Sequence, residues 1–151
     1  MLNNDAMPPA PQPVITYSVN DPAVVRFVAE QTGASDFTAG AALGVHRYGQ
    51  VQGGFVYDNF TRRNIFMHVA GIGRHWLTRR LLWMAFDYPF NQLRLERVTG
   101  MIAAGNAAAL RFAAKLGFTE EGRLRRAAPD GSDIICLVLW AQQCAWHKRK
   151  V

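Results

Sequence analysis

The stretch NAAALRFAAKLGFTEEGRLR (106–125) contains the most informative pattern in this chain. Asn106 is a residue type that caps helix N-termini, and Gly117 stands where the glycine that follows a helix belongs. Between them, apolar residues recur at the i, i+3, i+4, i+7 spacing of one helical face: Ala109, Phe112, Ala113 and Leu116. The stretch therefore predicts a capped helix that ends at Gly117 and leads into a strand.

A second informative stretch, HVAGIGRHW (68–76), lies between a predicted strand and a predicted helix. The first N–H groups of a helix have no intrahelical partner, and glycines let such a backbone approach a phosphate closely. The stretch lacks the third glycine of GxGxxG, and it does not match GxxxxGK[ST], so neither a dinucleotide fold nor a nucleoside-triphosphate loop is favoured. A plain glycine turn between strand and helix is the alternative.

The rest of the chain predicts a mixed α/β domain. Hydrophobic runs and turn residues predict seven strands, at 14–19, 39–47, 51–59, 64–69, 95–103, 118–125 and 133–140. A helix follows Asp21-Pro22 and reaches Thr32-Gly33, and a second has an apolar face from Leu77 and ends near Tyr88, before Pro89. The predicted order is β, α, a β meander, α, β, α, β, β.

Composition limits the function classes. The 151 residues are 50% hydrophobic and have a formal net charge of +6. We expect one domain at 13–151 after a flexible leader at 1–12. The charge favours an anionic ligand or partner. Neither a signal peptide nor a membrane span is predicted. Cys136 and Cys144 lack metal-site or CxxC spacing, and the four histidines lack metal-ligand spacing, which favours a reduced, cytoplasmic protein without a metal.

Together, the two stretches resemble the Gcn5-related N-acetyltransferase superfamily. More narrowly, they are similar to the branch of ribosomal-protein N-terminal acetyltransferases and to small phage-encoded acetyltransferases. The resemblance covers about residues 50 to 140. The family pattern Gln/Arg-x-x-Gly-x-Gly/Ala corresponds here to His68-x-x-Gly71-x-Gly73, the family asparagine to Asn106, and its Leu-Gly-Phe to 116–118. The resemblance implies an α/β (α+β) fold with a mixed, mostly antiparallel central sheet flanked by helices.

The resemblance also implies acetyl-coenzyme A as cofactor. Backbone N–H groups from Gly71 to His75 would hold the pyrophosphate, strand 65–69 would pair with the pantetheine arm, and Asn106 would bond the cofactor near its thiol. Arg79 and Arg111 are further candidate phosphate partners. The cofactor-binding residues that the resemblance implies are Val69, Gly71, Gly73, Arg74, His75, Asn106, Phe112 and Lys115.

The implied reaction is direct attack of an amine on the thioester, with a backbone N–H near Val69 polarising the carbonyl. The candidate catalytic residues are His68 and Asn106. Many family members have a tyrosine as general acid seven residues after the asparagine, and here that position is Ala113. His68 can serve as general base because imidazole titrates near neutral pH, although a structural role is the alternative. Glu120 and Glu121 are alternative carboxylates.

Several alternatives remain open from the sequence. The acceptor is a protein N-terminus, a lysine or a small-molecule amine, chosen by segments 22–32 and 125–132. Ala113 also fits an inactive binding module. The basic segments 62–63, 125–126 and 147–150 would suit nucleic acid, although a solubilising surface is the simpler interpretation. The apolar strand Ile134–Trp140 fits either a core or a homodimer interface.

Overall fold

The computed structural model describes residues 6–9, 14–34, 37 and 40–147. One sheet contains the seven strands of this part of the chain, in the order β1-β2-β3-β4-β5-β7-β6. The strands are β1 (Ile15–Val19), β2 (Ala41–Arg47), β3 (Gln50–Asp58), β4 (Asn64–Gly71), β5 (Arg97–Ala103), β6 (Thr119–Leu124) and β7 (Ile134–Trp140). The mixed α/β fold class and the predicted order of elements are confirmed.

Each of the three α-helices in the described residues begins at a side-chain cap. They are α1 (Pro22–Thr32), α2 (Arg79–Asp87) and α3 (Ala107–Leu116). The capping side chains of Asp21, Thr78 and Asn106 accept a bond from the first turn. Gly33 and Gly117 end α1 and α3 with φ of 72° and 104°, values that an L side chain adopts only under strain.

The sheet is antiparallel except where β4 meets β5. These two strands run parallel and pair only from Asn64–Arg97 to Phe66–Thr99. Beyond that ladder β4 continues to Gly71 and β5 to Ala103, and the two strands separate. A V-shaped cleft results, with its apex at the three-pair ladder.

Two hydrophobic clusters lie on opposite faces of the sheet, because side chains alternate along each strand. On one face α2 and α3 pack against the sheet around fully buried Phe55, Phe86 and Leu139. On the other face α1 packs through Val24 and Val28. The cleft is therefore bordered by α3 on one face and by the end of α1 on the other.

Several predicted boundaries were wrong by a few residues. Leu77 lies before α2 rather than in its first turn, and β4 extends past Val69 to Gly71, whereas β5 begins at Arg97. The α-helix ends at Asp87, close to the predicted position. The chain then continues as a π-helical turn, Tyr88–Gln92, that includes Pro89.

Parts of the prediction lie outside the described residues. They include most of the leader at 1–12, residue 39 of the second predicted strand and the basic tail from 148 onwards. In β7, the residues Ile135, Leu137 and Leu139 belong to the core. One face of this strand is therefore buried, in agreement with the core alternative of the prediction. Across the described ranges, no helix is long and apolar enough to cross a membrane.

Candidate functional site

The cleft between β4 and β5 is the candidate functional site. It encloses about 560 Å³ and is lined by residues 67–71 of β4, 100–103 of β5, the end of α1 with Phe37, and one side of α3. Of the predicted site residues, this lining brings together His68, Val69, Gly71, Asn106 and Phe112. Gly73, Arg74, His75 and Lys115 are not among the lining residues.

His68 lies on the α1 side of the cleft and is bonded to a carboxylate. Its Nε2 atom is 2.8 Å from Oδ1 of Asp58, and its ring centroid is 4.5 Å from that of Phe37. Both side chains are more than three-quarters shielded from solvent. Asp58 therefore fixes the orientation of the imidazole, an arrangement that suits a general base.

The role of Asp58 was missed in the sequence. Its proximity to His68 depends on the β3–β4 register, in which His68 is paired with Val56 and Phe66 with Asp58. Residues two apart on a strand share a face, so Asp58 follows Val56 on the face that His68 occupies. A correct hairpin register would have shown this diagonal contact.

Asn106 and Phe112 border the α3 side of the cleft. The Oδ1 atom of Asn106 accepts a bond of 3.1 Å from the N–H of Ala109, so it is occupied as a helix cap. Its Nδ2 atom can still donate to a ligand. Ala113 is buried, with 6% of its surface exposed, and lies in the lining, at the position where many members of the family that the sequence resembles have tyrosine.

The loop after β4 is shaped by Trp76. A Cβ atom on Gly71 would lie 2.1 Å from Cε2 of Trp76, and one on Gly53 would lie 2.4 Å from its Cε3. The ring of Trp76 also packs against Phe55 and Phe112, at centroid distances of 6.0 Å and 6.3 Å. The close approach of Trp76 therefore leaves no room for a side chain at position 71. Gly73, in contrast, has a φ of +70° and faces open space.

The N-terminus of α2, which carries the positive end of the helix dipole, lies at Arg79. Thr78 caps the helix through its Oγ1 atom, which accepts from the N–H of Leu81 at 3.1 Å. The N–H groups of Arg79 and Arg80 are left without an intrahelical partner. Gly71 is still in β4 and the helix begins four residues after His75, so the backbone from Gly71 to His75 belongs to the strand end and the loop rather than to the helix. That its N–H groups hold a pyrophosphate stays a prediction.

Two residues near this helix start were missed in the sequence. Tyr17 of β1 holds Thr78 through a bond of 2.8 Å between their hydroxyl groups. Arg47 of β2 donates to the carbonyl oxygen of His75 at 3.3 Å and adds a cation beside the loop. Both contacts join residues that are distant in sequence, so no local pattern indicates them.

A polar cluster stabilises the apex of the cleft. Oγ1 of buried Thr99 donates to Oδ1 of Asn64 at 2.7 Å, and the guanidinium of Arg97 bonds Asn64, Thr99 and Glu121. The hydrogen bond from Arg97 holds the pKa of Glu121 below its usual range; the positive charge of Arg97 acts in the same direction, while partial burial opposes them. These contacts join β4 to β5 where the two strands still pair, and they reach across β7 to β6.

Neither candidate glutamate faces the cleft. Glu121 is paired with Arg97, and Glu120 accepts a bond of 2.5 Å from Nε of Arg123. The hydrogen bond from Arg123 also lowers the pKa of Glu120. Both carboxylates are absent from the described lining, which leaves His68 as its only titratable side chain.

Solved structures with a similar fold include acetyltransferases. A spermidine/spermine N-acetyltransferase SpeG from Vibrio cholerae, in complex with manganese ions, matches with a TM-score of 0.67 and 18% identity over 85% of this chain and 93% of its own. Ard1 from Thermoplasma volcanium matches with a TM-score of 0.65 and 16% identity over 83% and 97%. The fold is that of the Gcn5-related N-acetyltransferases.

A third structure with this acetyltransferase fold contains ligands. It is a spermidine N-acetyltransferase from Vibrio cholerae in complex with CoA and spermine, with a TM-score of 0.64 and 16% identity over 85% of this chain and 96% of its own. No protein-family model matches the sequence, and the comparison with curated proteins finds no match. In the described part of the chain, no group of three or more His, Cys, Asp or Glu residues could hold a metal ion.

Proposed function

We propose that this protein is an acetyl-CoA-dependent N-acetyltransferase that transfers the acetyl group directly to an amine in a ternary complex. The observation that carries the proposal is the cleft, which separates β4 from β5 after three pairs and reaches both faces of the sheet. His68 faces the α1 side, whereas Asn106 and Phe112 face the α3 side. The amine and the thioester can therefore approach each other from opposite faces.

The residues present fit coenzyme A. After Phe66, β4 has no strand partner on its β5 side, so its backbone around Val69 can bond the amides of a pantetheine arm as an added strand would. The start of α2 offers the free N–H groups of Arg79 and Arg80 to a pyrophosphate. Exposed cations on the α2 and α3 side can pair with further phosphates: Arg74, His75 when protonated, Arg79, Arg111 and Lys115.

Acetyl-CoA supplies the acetyl group in activated form, as a thioester. In the proposed reaction His68, oriented by Asp58, accepts the proton of the attacking amine. A backbone N–H near Val69 donates to the carbonyl oxygen as it gains charge. The departing sulfur needs no tyrosine at position 113, because a thiol has a reference pKa of about 8.5 and the thiolate is a tolerable leaving group.

The test of cofactor binding is a calorimetric titration with acetyl-CoA. We expect the parent to bind and Arg79→Glu to bind about tenfold more weakly, since the new carboxylate repels the pyrophosphate. Arg79→Gln is the matched control without that repulsion and should retain more affinity. Arg79 is exposed, and a glutamate in the first turn favours the helix, so both variants should fold. A folded parent that does not bind acetyl-CoA would refute the proposal.

The acceptor amine is the finer part of the proposal. A protein N-terminus is the first acceptor to test, because the sequence resembles the ribosomal-protein branch, followed by lysine and small-molecule amines. The inactive binding module is the second candidate, and buried Ala113 in the cleft lining favours it. Tight cofactor binding without transfer to any amine would select this module, and strongly salt-dependent binding to RNA or DNA would then identify its ligand.

A further inference from the structure

The α3 side of the cleft contains a hollow that runs along the helix. Asn106, Ala109 and Ala113 lie on the side of α3 that lines the cleft, at the spacing of one helical face. Ala109 is half-buried and Ala113 is buried, so their small side chains border space that belongs to the cleft. Because an α-helix rises 1.5 Å per residue, Ala113 lies about 10 Å along the helix from Asn106.

The far end of this hollow is apolar. Leu116, Phe118 and Leu137 line the cleft although each is at most 8% exposed. Gly100 of β5 lies against them: a Cβ atom there would be 3.7 Å from Phe118 and 3.9 Å from Leu137, so the backbone leaves room for a further methyl group. We call this end of the cleft the apolar chamber; its lining residues are Gly100, Ala113, Leu116, Phe118 and Leu137.

The chamber is open because position 113 is an alanine. Side chains of an α-helix point toward its N-terminus, so a longer side chain at this position would extend back toward Asn106 and occupy the hollow. Alanine ends at its Cβ atom and leaves that volume to a ligand. An apolar group placed there would contact side chains of the core and would be stabilised by removal from water.

The proposed function, on which this inference rests, places the thioester beside the chamber. Asn106 would bond the donor near its thiol, and a backbone N–H near Val69 would hold the carbonyl oxygen. The carbons of the acyl group beyond the carbonyl then point along the hollow, on the face opposite His68 and the amine. We infer that the preferred donor is a coenzyme A thioester of a straight-chain acyl group longer than acetyl, such as butyryl or hexanoyl.

The transfer step is the one already proposed. A bond forms between the amine nitrogen and the acyl carbonyl carbon, the C–S bond breaks, the amine proton goes to His68 and coenzyme A leaves as the thiolate. A longer acyl chain changes none of these bonds. It adds apolar contact in the chamber, so we expect the gain in the binding and positioning of the donor.

Calorimetric titrations with coenzyme A thioesters test the inference without knowledge of the acceptor. Acetyl-CoA and butyryl-CoA differ by two methylene groups, and each methylene removed from water strengthens binding about fourfold. We therefore expect the Kd of butyryl-CoA to be about tenfold lower than that of acetyl-CoA. A Kd for butyryl-CoA that is equal to or higher than that of acetyl-CoA would overturn the inference.

Variants that fill the chamber provide the second arm. Ala113→Leu should remove the advantage of butyryl-CoA, whereas Ala114→Leu, the same change at the next and exposed position, should leave the ratio of the two Kd values unchanged. If Ala113→Leu does not fold by circular dichroism, Gly100→Ala adds a methyl group at ordinary contact distances and should reduce the advantage severalfold. An advantage that persists in a folded chamber variant would show that the chain binds elsewhere and would contradict the inference.

The same titrations separate the inference from the proposed function. Binding of acetyl-CoA without an advantage for butyryl-CoA refutes only the inference about chain length. A folded parent that binds no coenzyme A thioester refutes the proposed function, and the inference with it. An advantage for butyryl-CoA that the chamber variant removes supports both.

Discussion

At the scale of single residues, the contact between Asp58 and His68 is the one on which the proposed chemistry depends. We expect His68→Gln to lower kcat by about 10² or more, the usual contribution of a general base. It should also remove the dependence of the rate on pH in the neutral range. Steady-state rates from pH 5 to 9 test this prediction. A variant that retains the parent profile would show that His68 is not the base.

Asp58 is a positioning residue, so its removal has a different expected result. Asp58→Asn keeps the size and one acceptor but removes the charge that stabilises a protonated imidazole. We expect a smaller loss of kcat than in His68→Gln and a pH profile that moves to lower pH, because an imidazole without the neighbouring charge loses its proton more readily. His46→Gln is the control, because His46 lies on another pair of strands and is bonded to Ser18. An unchanged profile in Asp58→Asn would limit Asp58 to a structural role.

Gly71 and Trp76 give a prediction about packing. Gly71→Ala places a methyl group about where the indole ring now lies, 2.1 Å from Cε2, so the ring must move. We expect a loss of about 1–3 kcal/mol in the free energy of unfolding, measured by urea titration. Gly100→Ala is the control, since a Cβ there would meet its nearest atom at an ordinary 3.7 Å. Equal losses in both variants would contradict this explanation of Gly71.

At the scale of elements, the apex of the cleft depends on the pair between Arg97 and Glu121. The pKa of Glu121 is lowered in the folded protein, so the folded state favours the ionised carboxylate. This contribution is complete above the ordinary value of 4.5 and is lost as the pH falls through the lower folded value. Because the side chain is 37% exposed, we expect less than about 1 kcal/mol.

Glu121→Gln should accordingly be less stable than the parent at pH 7, with a difference that shrinks below pH 4.5. Urea titrations at several pH values measure it. A double-mutant cycle with Arg97→Gln isolates the pair from the bonds that Arg97 makes to Asn64 and Thr99. A difference that stays constant into the acid range would mean that Glu121 contributes through packing instead.

The order of the elements could be predicted from the sequence, whereas two details of α2 could not. Apolar spacing and the capping residues Asp21, Asn106 and Gly117 are local, and they indicated α1 and α3. The start of α2 is set by Thr78, which Tyr17 holds from β1. Its end near Tyr88 was predicted from Pro89, but the π-helical turn that follows, closed by the N–H of Leu93 on the carbonyl of Tyr88, was not.

The positions of several candidate residues were predictable to the same degree. His68, Val69, Gly71, Asn106 and Phe112 follow the family pattern, and the structure gathers them at one cleft. The carboxylate of Asp58, the indole of Trp76 and the guanidinium of Arg47 reach the site through strand register and loop packing. Contacts of that kind join distant residues, so periodicity and motif spacing do not reveal them.

At the scale of the whole molecule, the three-pair ladder between β4 and β5 divides the sheet into two contiguous parts of the chain. Residues 15–71 form the antiparallel ladders of β1 to β4, and residues 97–140 form those of β5 to β7. Each part can assemble from short-range contacts, so their docking at the ladder is the step expected last in folding. The backbone amides that donate across this ladder, such as the N–H of Arg97 to the carbonyl of Arg63, should therefore exchange hydrogen faster than those that bond within the β2–β3 and β5–β7 ladders.

That late step has a consequence for ligand binding. The cleft exists only once the two halves have docked, so a cofactor that spans it binds the assembled state and not the separated halves. Acetyl-CoA should then slow hydrogen exchange at 64–66 and 97–99 more than elsewhere, because its binding stabilises the docked halves against separation. The β4–β5 ladder, the least stable of the sheet, is then also the ladder that ligand binding stabilises most.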